Sequence, residues 1–110
     1  MATLELERSW KRTEGYLRDA RAHLSQIAET EFADPIVQFE DFLDHNELGL
    51  AFDTLESIAV ESQWESMRIF ELLALAAASM GRFHEQRILD QRITKQRGWT
   101  YETSLPGDSA

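Results

Sequence analysis

The sequence predicts an all-α domain, a compact antiparallel bundle of about five helices, on three observations. Apolar residues recur at helical spacings almost throughout. No five-residue stretch alternates as a strand does, and β-branched residues are sparse. Only two prolines occur, Pro35 and Pro106, and both stand at element boundaries.

The first helix is expected over residues 3–29, where Leu6, Trp10, Leu17, Leu24, Ile27 and Ala28 form one apolar stripe. Gly15 is its weak point, where it bends or breaks. Asp34-Pro35 signals a second helix over 35–45: the Asp oxygen accepts from exposed first-turn amides, and Pro already has a helical φ. Its inward residues are Ile36, Phe39, Phe42 and Leu43. Asn46 ends that helix or caps the next, which covers 47–61 with Leu48, Ala51, Phe52, Leu55, Ile58 and Ala59 buried. Ser62-Gln63-Trp64-Glu65 matches a capping box and predicts a fourth helix from that point to Met80. Its second half, Leu72–Ala78, is apolar on every side and belongs at the centre of the bundle. Gly81 marks its end. A fifth helix over 82–97 turns Phe83, Leu89 and Ile93 inward and stops at Gly98. Residues 1–99 thus make one helical domain, and 100–110 (TYETSLPGDSA), without periodicity, are expected to be a disordered tail. Short turns make consecutive helices antiparallel neighbours. The step Ala76–Phe83 is similar to the helix–turn–helix of tetratricopeptide-type repeats, although no period of about 34 residues is evident.

Composition narrows the function. At 110 residues the chain is one domain of ordinary apolar content, 43%. Cysteine is absent, which removes disulfides and thiolate metal sites. The N-terminus, MATLELERSWKR, is charged throughout and has no signal-peptide core, and the longest apolar run is far too short for a membrane span. A cytoplasmic, soluble protein is expected.

The chemistry that enzymes need is missing from the pattern. His23, His45 and His84 are far apart and lack the close spacing of metal-ligating pairs. Asp44-His45-Asn46-Glu47-Leu48-Gly49 begins like a calcium loop, but Leu48 and Leu55 fall where oxygen ligands are required. There is no phosphate loop, nucleophile elbow or Cys nucleophile. No enzyme activity, cofactor or metal is expected. The bases of the last helix, Arg82, Arg87, Arg92, Lys95 and Arg97, interleave with Glu85 and Asp90. They read as i,i+3 pairs such as Arg82–Glu85 and Arg87–Asp90 rather than as a phosphate-tracking stripe.

Charge is distributed unevenly. Between Arg21 and Arg68 there is no Lys or Arg, yet eleven acids fall there, while the flanks are almost balanced at +1 each; the whole charge excess behind the net −9 sits in that block. Such a field attracts a basic partner and repels nucleic acid and anionic membrane. Glu40 and Asp44 share a face of the second helix with Asp41 beside them, and Asp53 and Glu56 share the outer face of the third. The expected ridge carries about six carboxylates without an internal cation. The competing reading is a solvated face that serves solubility.

The segment Phe42-Leu43-Asp44-His45-Asn46-Glu47-Leu48-Gly49-Leu50-Ala51-Phe52-Asp53-Thr54-Leu55 resembles a motif of small helical bacterial toxin-immunity proteins, the MafI-like family, over residues 36–60. In that family an acidic helix end is followed by a His/Asn-Glu turn and a Gly-Leu-Ala helix start. The resemblance implies a protein that protects its cell by binding the C-terminal domain of a cognate toxin, often a nuclease. It makes Asp41, Asp44, His45 and Glu47 interface candidates. The charge pattern adds Glu40, Asp53 and Glu56, and Trp64 and Tyr16 are the candidate aromatic anchors. Within the motif, Leu48, Gly49, Ala51 and Leu55 read as a helix–helix contact, and Asn46 and Glu47 read equally as a helix start. The alternative is a tetratricopeptide-like scaffold or adaptor that self-associates through Leu72–Ala78 or offers a peptide groove. The oligomeric state is open.

Overall fold

Local stop and start signals divide the chain into six helices among the residues that the structure, a computed structural model, describes (3–62 and 66–106). They are α1 (Leu4–Ala22), α2 (Gln26–Glu31), α3 (Ala33–Asp44), α4 (Leu48–Glu61), α5 (Met67–Ser79) and α6 (Phe83–Arg97). The fold is all-α.

The extra helix comes from the expected first one, which breaks at residues 23–25 and not at Gly15. Gly15 stays helical and exposed, whereas Ser25 takes an extended conformation and accepts from the Ala28 amide at 3.1 Å, starting α2. A good cap outweighs a poor helix former. Ile27, expected inward, is consequently 55% exposed. The start of α3 also differs: Phe32 is its N-cap residue, and Asp34-Pro35 lies in the first turn. Ser62 is the C-cap of α4, its amide donating to the Ile58 carbonyl at 2.9 Å, and not the opening of a capping box. Gln63–Glu65 lie outside the described residues, and α5 begins at Met67 with Ser66 as its N-cap residue.

The α3–α4 and α5–α6 connections are the same turn built twice. Asn46 (φ +56°) and Gly81 (φ +77°) are left-handed. The next amide reaches back in each case, Glu47 to the Phe42 carbonyl and Arg82 to the Ala77 carbonyl, both at 2.8 Å. This is the Schellman geometry. Glu47 and Arg82 then serve at once as N-cap residues, with ψ of 69° and 68°. Each turn folds its two helices into a hairpin.

Helix α5 packs between α1 and α6 and also touches α4; α3 pairs with α4, and α2 lies on α3. Phe39, Phe52, Leu17, Leu55, Ile58, Ile69, Leu73, Leu89 and Ile93 fill the core. The central position expected for Leu72–Ala78 is what the structure has: Leu72, Leu73, Ala74, Ala76 and Ala77 are buried. That burial withdraws the segment as a self-association face. Two residues expected inward, Leu6 and Phe83, are 44% and 59% exposed. Both lie at or near a helix start, where periodicity does not reveal how far the neighbouring helix extends.

The expected disordered tail is packed in its first part. The Tyr101 amide donates to Thr94 Oγ1 at 2.9 Å, and the Thr103 amide donates to Asp90 Oδ2 at 3.0 Å. Thr103 Oγ1 donates to the other Asp90 oxygen, and Gln86 Nε2 reaches Oδ2 at 3.4 Å. Asp90 is thereby buried as the latch of a C-terminal strap, not paired with Arg87 on the surface. Arg97 closes the strap from outside: its guanidinium lies 5.2 Å from the Tyr101 ring centre and is ion-paired to the buried Glu71.

Candidate functional site

Side chains of the lysine- and arginine-free block meet cations that sequence order hides. Arg21, near the end of α1, pairs with Glu29 at 2.7 Å and Glu40 at 3.1 Å. Arg18, one turn earlier, holds Glu14 at 2.8 Å and approaches Glu40 at 3.7 Å and Asp44 at 3.8 Å. On the other side of the hairpin Arg82 reaches Asp53 at 3.0 Å, Glu85 at 3.2 Å and the Gly49 carbonyl at 3.3 Å, with its guanidinium 5.0 Å from the Phe52 ring centre. The expected ridge without a cation is therefore corrected. Glu29, Glu40, Asp44 and Asp53 are seams between helices, because the helices that flank the block in space come from its basic neighbours in sequence.

The acids left without an Arg or Lys partner among the described residues include Asp41 and Glu47, on the last turn of α3 and the turn that follows it. Both are exposed, as is Asp44 beyond its long contact to Arg18. His45 sits among them. Its Nδ1 is 2.8 Å from the Asp41 carbonyl and 3.5 Å from the Asp41 carboxylate. The backbone carbonyl first, and the carboxylate second, raise its pKa above the ordinary value of 6.5. A proton on His45 thus reports the negative field of this turn. Glu56 is half-buried on α4, and its pKa is raised, first by desolvation and then by Asp53. It is a carboxylate that the fold penalises rather than one presented outward. The expected set divides accordingly: Glu40 and Asp53 are bridged, Glu56 is withdrawn, and Asp41, Asp44, His45 and Glu47 remain together on the surface. Trp64 lies outside the described residues, and Tyr16 is partly buried against the core.

A cleft of about 310 Å³ opens beside this turn, lined by Leu6, Ser9, Trp10 and Thr13 of α1, Asn46, Leu48 and Gly49, and Ser79 and Met80. Its floor is polar but satisfied. Ser79 Oγ bridges to Thr13 Oγ1 at 2.7 Å, Thr13 Oγ1 donates to the Ser9 carbonyl at 2.9 Å, and Ser9 Oγ donates to the Ser79 carbonyl at 3.1 Å. Leu6, Trp10, Leu48 and Met80 supply its apolar surface. Periodicity assigns Trp10 and Leu48 to the core, and nothing in the sequence distinguishes a core position from the wall of a cleft at a helix end. Among the described residues, no three His, Asp or Glu side chains converge as metal ligands, and no helix is long and apolar enough to cross a membrane.

Compared with protein-family models, curated proteins and solved structures, the chain has no match.

Proposed function

We propose that this protein is a binding protein of the immunity type, which neutralises a cognate bacterial toxin domain by occupying its basic face without catalysis or cofactor. The observation that carries the reading is the exposed carboxylate turn. Asp41, Asp44 and Glu47 converge at the end of the α3–α4 hairpin, and neither Asp41 nor Glu47 has an Arg or Lys partner among the described residues. Nucleases bind polyanions, so their active faces are basic; carboxylates on a rigid helical turn stand in for phosphates. The resemblance over residues 36–60 falls on the same turn. The net charge of −9 favours steering of a basic partner.

The test is association with the basic C-terminal domain of a secreted protein encoded beside this chain, measured by stopped flow at rising ionic strength. Charge reversal at Asp41, Asp44 and Glu47 together is expected to slow association about tenfold or more and to weaken protection of cells producing the domain. Association indifferent to salt, or undiminished protection by a folded triple variant, overturns the site.

The alternative is a tetratricopeptide-like adaptor. One observation favours it: the twin Schellman turns stand close to one repeat length apart, near the period of about 34 residues typical of that class. An adaptor of this kind binds an extended peptide with little dependence on salt, which separates it from the first reading.

A further inference from the structure

Beyond the acidic turn, the same end of the bundle carries a second recognition element. The cleft between α1 and the two hairpin turns has apolar walls, from Leu6, Trp10, Leu48 and Met80, over a floor whose hydroxyls already bond to one another. Two of its lining residues, Trp10 and Asn46, carry side-chain N–H groups that make no hydrogen bond among the described residues. Apolar walls with a few converging polar groups are the usual composition of a recognition cleft. At about 310 Å³ the cleft stands at the lower limit of small-molecule sites, a size suited to one large side chain and its flanking peptide group. Leu6 is 44% exposed at its edge.

The occupant follows from the charges. Asn46 forms part of the cleft wall, and its chain neighbours are His45 and Glu47, with Asp44 and Asp41 behind them. The hairpin side of the mouth is therefore negative. The α1 side is mixed, with Glu5, Glu7, Arg8 and Lys11 exposed and Arg12 tied to Ser79 Oγ at 2.9 Å. A second copy of this chain, with nine excess negative charges, is disfavoured there. We propose that the cleft receives a large apolar side chain from a basic protein segment, whose cations lie on Asp41, Asp44 and Glu47. This inference rests on the docking reading above and adds its anchor. The charges would set the encounter, and the buried side chain the residence time.

Peptides of the form Lys-Lys-X-Lys-Lys, with X as Leu, Trp or Ser, test it by ¹H–¹⁵N NMR on the full chain. The Leu and Trp peptides are expected to shift the Trp10 indole and Asn46 side-chain signals. They should also bind about tenfold tighter than the Ser peptide, as burial of one apolar side chain implies. The Ser peptide should move only the amides of residues 41–47. Replacing Asn46 by Gly keeps the left-handed turn and removes the amide. Together with Leu6→Ser it should erase the preference for Leu over Ser while leaving the salt-dependent component intact. Equal binding by all three peptides, with the Trp10 indole unmoved, overturns the cleft and leaves the acidic turn standing. A shift at Trp10 without any at residues 41–47 overturns the basic character of the partner.

Discussion

Asn46 holds a left-handed φ of +56° that its side-chain type tolerates better than most. Asn46→Ala should therefore cost about 1 kcal/mol in urea unfolding, and Asn46→Gly should be neutral or slightly stabilising. Gly81→Ala meets no steric neighbour yet carries the same backbone strain, so a similar loss of about 1 kcal/mol is expected. The His45 titration has a fixed sign. Its folded pKa is raised, so its contribution to stability is fully present below the ordinary 6.5 and is lost as pH rises through the raised value. An NMR titration should place the His45 midpoint above 6.5, and a midpoint at or below it would contradict the contacts to Asp41. Glu56 has the opposite consequence. Its raised pKa means that ionisation costs the fold, so Glu56→Gln should raise the melting temperature slightly at neutral pH. That gain should vanish as pH falls through the titration of Glu56. The turn residues were legible because a single residue type decides each conformation. The Glu56 environment was not, since it combines burial in the fold with the charges of Arg82, Glu85 and Arg92, which are distant in the chain.

At the scale of elements, five of the six helices follow from apolar periodicity and their stop signals, and α2 follows from a cap. The long α1 persists through Gly15, and an added Cβ there meets nothing within 4 Å. Gly15→Ala should stabilise by about 0.5–1 kcal/mol, read from the urea midpoint. A helix already bent at Gly15 would not gain. The strap after α6 is the element that composition misjudged. Its backbone amides are held by side chains of α6, Thr94 and Asp90, so it needs no periodicity of its own. Asp90→Ala should release it and cost about 1–3 kcal/mol, with faster hydrogen exchange at the Thr103 amide. Unchanged exchange there would mean that the strap is held by packing alone.

Across the whole molecule, the arginines of the flanks convert a charge imbalance into tertiary contacts. Arg21 draws α2 and α3 onto the end of α1 through Glu29 and Glu40, so Arg21→Gln should lower stability by about 0.5–1 kcal/mol at low salt and by less at high salt. The sequence by itself determined the helical class, the hairpin turns at Asn46 and Gly81, the stop at Gly98 and the central place of Leu72–Ala78. Each of these depends on residues within a few positions of one another, or on one apolar stripe. Only the tertiary structure decided which carboxylates remain available, which aromatics are exposed, and that Trp10, Asn46, Leu48 and Met80 frame one cleft. Those properties join residues far apart in the chain, and no local spacing encodes how packed helices bring charges and cavities together.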